Sequence, residues 1–344
     1  MKIKNVCVLG GSGFVGKHIV HQLTAQGCEV RVLTRNRERA KELIVLPTVD
    51  VVAANIFDPV ELNRQFTGMD AVINLTGILH ETRSGRVDKP SARRGDFHEV
   101  HIELPRKIVH ACAEKGVQRL LHMSALNADP TGPSSYLRSK GLGETIVREA
   151  GMVHRENENW YLNGPKFVHG YGLQVTIFRP SVIFGRGDKF LNTFAALLRR
   201  FPILPLASAG SRFQPVYVED VARAFAACLT NPATFGETYD LCGPSVYTLH
   251  ELVQLVAKML GVQRRIVPLN DMLSFVQALL LEYAPGKLMT RDNYNSMKLD
   301  AVCQCDFPSI FGFTPAALEA VVPAYLAAKN PRERYTGLRY KARR

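Results

Sequence analysis

The stretch Asn5-Val6-Cys7-Val8-Leu9-Gly10-Gly11-Ser12-Gly13-Phe14-Val15-Gly16 decides how the rest of the chain is read. A short apolar run ends in glycines at Gly10, Gly13 and Gly16, after which Phe14, Val15, Ile19, Val20 and Leu23 recur at helical spacing. Strand, tight glycine turn and helix, in that order, make a seat for a pyrophosphate, whose charge rests among the unpaired N–H groups of the helix N-terminus. Gly10 permits the turn, Gly13 leaves room for the phosphate, and Gly16 lets helix and strand pack closely. Ser12, Phe14 and Val15 lie in the same turn and join the glycines as candidate cofactor contacts. Glycine turns are common, but one placed between a strand and a helix at the start of an α/β pattern points to a dinucleotide.

The whole chain is compatible with that reading. Its 344 residues can hold one large domain or two lobes, and 46% hydrophobic with 22% charged residues is ordinary for a soluble globular protein. No secretory signal is expected from Met1-Lys2-Ile3-Lys4, and the apolar stretches 273–284 and 316–328 are too interrupted to span a bilayer. Seven scattered cysteines, an odd number, argue against a disulfide framework and for reduced buried thiols in a cytoplasmic protein. Cys303 and Cys305 form a C-x-C without a second pair or a nearby histidine, so no metal site is expected. The net charge of +12 is partly carried by residues 331–344, where Arg332, Arg334, Arg339, Lys341, Arg343 and Arg344 face Glu333 alone. That segment reads either as a solvated tail or as an anchor on anionic lipid or an acidic partner, with a peripheral place on the inner face of the membrane. No nucleic-acid recognition motif accompanies the charge, so nucleic acid is not an expected partner.

Glu29–Thr34 reads as the second strand. About 20 residues beyond the glycines, an acidic residue usually binds the ribose of a cofactor lacking a 2′-phosphate. Arg35 occupies that place, with Arg37 and Arg39 behind it, which favours NADP(H) over NAD(H). A third strand ends near Asn55 and Ile56, a polar and apolar pair able to flank an adenine. The fourth ends in Thr76-Gly77, where backbone can approach a cofactor. Residues 81–96 read as a polar surface loop, 97–114 as one helix, and Arg119–Met123 as the fifth strand.

Ser124 follows that strand, and then Ser135-Tyr136-Leu137-Arg138-Ser139-Lys140. Tyr136 and Lys140 are four apart and share a helix face. For a tyrosine to act as acid or base near neutrality its pKa must fall from about 10 to about 7, a differential of about 4 kcal/mol. A cation about 5 Å away at an effective dielectric of about 20 supplies roughly 3 kcal/mol of that.

Glycine turn and Tyr136/Lys140 together resemble the extended short-chain dehydrogenase/reductase superfamily, of the epimerase/dehydratase kind. Phe178-Arg179-Pro180-Ser181-Val182-Ile183-Phe184-Gly185 and Phe213-Gln214-Pro215-Val216-Tyr217-Val218-Glu219-Asp220-Val221-Ala222 fit the same pattern. Within it, the runs around His122–Asp129, Tyr136–Glu144 and Arg179–Gly187 are similar to a narrower branch containing the nucleotide-binding accessory subunits of respiratory complex I and their bacterial relatives. The resemblance covers about residues 1–325 and implies an α/β, Rossmann-like doubly wound parallel sheet over 1–184, completed by about 213–245, with a smaller C-terminal lobe over 185–330. It also implies that Tyr136 serves as acid/base, that Lys140 holds the nicotinamide ribose, and that Pro180 meets the nicotinamide. Two departures stand out. His101 takes the place of the superfamily's asparagine, and the register leaves open whether Ser124 or Ala125 takes that of its serine. Retained Tyr and Lys without the rest is the pattern of the complex I branch, where the nucleotide is structural; the alternative is an active reductase, epimerase or dehydratase on a sugar, lipid or isoprenoid.

In the second lobe, Phe190–Arg200 reads as a helix, 202–206 as a turn, Leu249–Leu260 as an amphipathic helix closed by Gly261, and 273–283 as core packing, with an exposed partner-binding face as the alternative. Residues 151–171, which include Trp160, read as an inserted surface loop.

Overall fold

The computed structural model describes residues 3–81, 95–152, 172–284 and 288–326. Most of the polar excursion, the Trp160 insertion and the basic tail lie outside these residues. Seven parallel strands form the central sheet: β1 (Asn5–Leu9), β2 (Glu29–Thr34), β3 (Val49–Ala53), β4 (Ala71–Asn74), β5 (Arg119–Met123), β6 (Gln174–Pro180) and β7 (Thr238–Leu241). Their order is β7-β6-β5-β4-β1-β2-β3, so the chain reverses direction of travel between β1 and β4. In an open parallel sheet the crevice beyond the C-terminal strand ends at such a reversal is the natural ligand seat.

Both faces of the sheet are covered, which is why strands such as Val6-Cys7-Val8-Leu9 are apolar throughout instead of alternating. On one face α1 (Phe14–Ala25) packs with the helix Val218–Cys228 over Val6, Val8, Val30 and Val32. The other face is covered by α2 (Pro59–Phe66) and α3 (Leu104–Lys115) over Cys7, Leu9, Leu33 and Leu120. A separate apolar cluster, built from Phe184, Leu191, Leu198, Leu252, Val253 and Val256, forms the core of the second lobe.

Four expectations need correction. The helix expected over 97–114 is interrupted by a π-helical segment, Glu99–Glu103, which rotates His101 inward. The stretch read as a turn contains a strand, Ile203–Leu206, paired in parallel with Arg265–Pro268; its alternating exposure marks a two-faced strand that Pro205, and Pro202 just before it, concealed. Cys242 and Cys303 form a disulfide, against the expectation of thiols throughout; their Cα atoms lie 6.1 Å apart, brought together from 61 residues apart by the return of the chain from the second lobe. Finally, the 273–283 stretch belongs to a helix, Asp271–Tyr283, that buries only Ser274 and Ala278 and turns its large apolar residues outward.

Candidate nucleotide-binding site

The glycine turn is sterically committed. Gly10 has φ +80°, and the N–H of Gly13 donates to its carbonyl at 3.0 Å. A Cβ on Gly16 would sit 2.3 Å from the Gly10 oxygen and 2.6 Å from the Gly11 Cα, so only glycine lets α1 start so close to the turn. A Cβ on Gly13 would meet the Gly10 oxygen at 3.1 Å. Gly11, given no role from sequence, lies against Val32, where a Cβ would approach to 2.9 Å. The N-cap of α1 is Gly13 itself, with no side-chain acceptor and no acid in the first turn, leaving the N-terminal N–H groups to an anion. Val15 is in the core, so any nucleotide contact from it is through its backbone; Phe14 lies edge-on to His18.

Ser12 reaches the end of β2, where its hydroxyl lies 3.3 Å from that of Thr34. The exposed Arg35 follows Thr34 directly, at the end of β2 beside the turn. At the end of β3, Asn55 is exposed and its side-chain oxygen accepts the Phe57 N–H, while Ile56 packs against the core.

The ends of β4 and β5 form the polar wall of the site. Asn74 is buried and its side-chain oxygen accepts both the N–H and the hydroxyl of Thr76. That fixes its amide nitrogen as the donor to His122 Nδ1 at 3.1 Å. Burial, with Lys140 nearby, pushes the His122 pKa down to about 3, so this ring is neutral. His101 Nε2 accepts the N–H of Ile78 at 3.1 Å, which places its proton on Nδ1, facing the Ser139 hydroxyl at 2.9 Å. Ser139 in turn donates to the Tyr136 carbonyl. Burial and then the Lys140 charge hold His101 well below the usual histidine range. This imidazole is thus a neutral brace between the Thr76-Gly77-Ile78 segment and the tyrosine helix. Neither Asn74 nor His122 was singled out from sequence, because a buried polar residue inside an apolar strand gives no periodic signal.

That helix, Ser135–Gly151, is fastened at its start by the Asp292 carboxylate, which accepts the N–H groups of Ser135 and Tyr136 at 2.7 and 3.1 Å. It presses on the π-helical segment: a Cβ on Gly143 would clash with the His101 carbonyl oxygen. Lys140 is buried, and its ammonium donates to the Met123 carbonyl at 2.9 Å. A Cβ on Gly77 would lie 3.5 Å from that ammonium, so the Gly77 backbone runs close beside it. Burial lowers the Lys140 pKa to about 8, opposed by Glu144. Tyr136 packs edge-on against Phe97 and His101. Burial, then Asp292, pushes its pKa up to about 12, opposite to the lowering expected from Lys140. Pro180 ends β6, and its carbonyl is taken by the Leu126 N–H.

Ser124 and Ala125 are both buried, but the Ser124 hydroxyl has no hydrogen-bond partner. A buried hydroxyl left open costs about 1–3 kcal/mol unless a ligand or water satisfies it. With the α1 N-terminus, which has no side-chain cap, and the Lys140 ammonium, it makes a donor set that fits a dinucleotide with its pyrophosphate on the glycine turn.

Comparison with known proteins agrees with this geometry. The NAD(P)H-binding family matches residues 10–232. A rat protein, NADH dehydrogenase (ubiquinone) 1 alpha subcomplex subunit 9, mitochondrial, is 30% identical over 325 residues, covering 91% of this chain and 77% of the relative. Ceramide reductase from Caulobacter vibrioides is 28% identical, covering 77% of this chain and 74% of that protein. Among solved structures, DesIV, a dTDP-glucose 4,6-dehydratase from Streptomyces venezuelae with NAD bound, superposes with a TM-score of 0.61 at 25% identity, covering 78% of this chain and 85% of that one. The chain therefore belongs to the NAD(P)H-binding family, as a homologue of the alpha subcomplex subunit 9 proteins of respiratory complex I on an epimerase/dehydratase fold.

Proposed function

We propose that this protein holds NADP(H) as a resident part of its structure and acts in the assembly or stability of a membrane-associated respiratory complex, with little turnover. The observation that carries the reading is geometric: the Lys140 ammonium donates to the Met123 carbonyl, while Tyr136 packs edge-on against Phe97 and His101, where burial and Asp292 push its pKa up instead of down. A bound nicotinamide supplies hydride chemistry. This chain's groups supply the rest: the α1 N-terminus and glycine turn seat the pyrophosphate, Arg35 faces a 2′-phosphate, Asn55 and Ile56 flank the adenine, and Thr76, Gly77, Lys140 and Pro180 surround the nicotinamide ribose and ring. His101, held from both sides and kept well below the usual histidine range by burial and the Lys140 charge, stays neutral and stiffens that wall. Similarity to the rat complex I subunit over 91% of the chain supports the partner, and a place at the cytoplasmic membrane surface is part of the same reading.

One observation favours a second reading, an active reductase or epimerase: the partnerless Ser124 hydroxyl is the group that would bind a substrate oxygen, with Tyr136 holding the proton at its phenolic oxygen. The test is to purify the protein without added nucleotide, identify what it carries by mass spectrometry, and follow NADPH oxidation against a panel of carbonyl compounds. Tightly retained NADPH that never turns over supports the structural role; a measurable rate that Tyr136→Phe abolishes overturns it.

A further inference from the structure

The helix Asp271–Tyr283 is inverted relative to an ordinary surface helix. Its buried side carries Ser274 and Ala278, whereas Met272 is 76% exposed, Leu280 68% and Tyr283 65%. Leu273, Phe275 and Val276 are exposed as well, and at 100° per residue these six fall on one continuous outward arc without a charge. The helix is about 20 Å long, and hydrogen bonds hold it to the lobe. Ser274 Oγ accepts the Ser208 N–H, Gln277 donates to the Pro205 carbonyl, and Tyr294 on the following helix (Arg291–Ser296) donates to Asp271. Its acids are occupied, Asp271 by that tyrosine and Glu282 by Arg291.

The strand that the helix meets at Pro205 leads back to a basic corner. The strand carrying Pro205 begins with exposed Ile203, which follows Arg199, Arg200 and Phe201, all exposed, and pairs in register with exposed Arg265. Arg200 lies over the Phe201 ring, and Arg264 donates to the Leu198 carbonyl. Among the described residues, Arg199, Arg200, Arg264 and Arg265 enter no ion pair. An apolar arc flanked by uncompensated guanidinium groups matches the interfacial layer of an anionic bilayer: acyl chains for the helix, phosphates for the arginines. No helix among the described residues is long and apolar enough to cross a membrane, so the contact is one of lying on the surface.

We propose that the Asp271–Tyr283 helix, with the Arg199-Arg200-Phe201 corner and Arg265, is the surface by which this protein docks on anionic phospholipid membranes. The proposal deepens the reading of a membrane-associated role, but it does not depend on what the nucleotide does.

The test is flotation of the full chain with phosphatidylcholine vesicles and with vesicles containing phosphatidylglycerol. The expected result is binding to the anionic vesicles, reduced at least about tenfold by Met272→Ser with Leu280→Ser, and by a similar factor by Arg199→Gln with Arg200→Gln. Val60→Ser, which removes an equally exposed apolar residue from a different surface, leaves it unchanged. Unchanged flotation of the Met272/Leu280 variant overturns the proposal, since other basic segments would then carry binding alone. So does a vesicle-free dimer, seen by sedimentation, that this variant converts to monomer, which would assign the face to a second copy. NADPH retention is measured on the same samples. Loss of flotation with nucleotide still held separates failure of this surface from failure of the nucleotide reading.

Discussion

The two ends of β5 each carry buried polar groups, and they are built to opposite rules. At its start, Arg119 is fully buried, yet its guanidinium donates to the carbonyls of Leu229, Gln174 and Cys228 and to the hydroxyls of Thr176 and Thr234, with the Phe235 ring 4.6 Å away. Burial lowers its pKa only to about 10, so it stays charged. At the other end, five residues on, Ser124 has a hydroxyl with no partner, and the neighbouring Lys140 is a buried cation facing a glycine. A fully hydrogen-bonded cluster contributes to stability, whereas an unpartnered hydroxyl such as that of Ser124 costs stability unless a ligand or water satisfies it.

Mutations at the two ends break or sharpen that contrast. The largest effect belongs to Arg119→Ala: it strands several buried acceptors and opens a cavity, so denaturant unfolding should show a loss of about 3 kcal/mol or more. Equal stability of this variant and wild type would refute the structural role of the satisfied end. Next is the tether that holds the returning chain against the sheet edge. Cys242→Ser should destabilise by about 2–4 kcal/mol under oxidising conditions and by little in excess dithiothreitol. The effect is tempered because Gln214 already bridges the same segments through the Gly243 carbonyl and the Cys303 N–H.

At the open end the signs change. Lys140→Met should weaken NADPH binding by about ten- to a hundredfold, read by fluorescence titration, while nucleotide-free protein melts no lower than wild type. The lysine's folded pKa, about 8, lies below its unfolded value, so the unfolded chain binds the extra proton more tightly. Its burial penalty is therefore complete below about pH 8 and relieved as the pH rises toward 10.5. NADPH affinity should fall over the same rise, as the ammonium that faces the ligand deprotonates, and Lys140→Met should flatten that dependence. The smallest effect on stability belongs to Ser124→Ala, within about 1 kcal/mol of wild type or above it, because the hydroxyl it removes has no partner. A loss of several kcal/mol would show that Ser124 is structural after all.

Much of this was legible in one dimension. The glycine turn, the succession of strands along the chain up to β6 and the Tyr136/Lys140 spacing are local: each depends on residues within a few positions, where steric exclusion at Gly16 or helical spacing leaves few alternatives. What escaped was non-local or aperiodic. His101 was flagged as a departure, but only the π-helical segment shows it braced between Ile78 and Ser139. Asn74 and His122 sit among apolar strand residues, and Asp292 reaches Tyr136 from 156 positions away. The outward apolar helix was open to two readings because an apolar run has the same composition whether it faces core or solvent.

Glycine sterics and hydrophobic periodicity act within one strand and one helix, so the residues alone imply a parallel sheet that opens on a tight glycine turn. Only the tertiary structure decided the electrostatics of Tyr136 and Lys140, the Cys242–Cys303 pairing and the facing of the Asp271–Tyr283 helix. Burial and charge proximity are sums over neighbours that the chain brings together from far apart, and no local pattern encodes them.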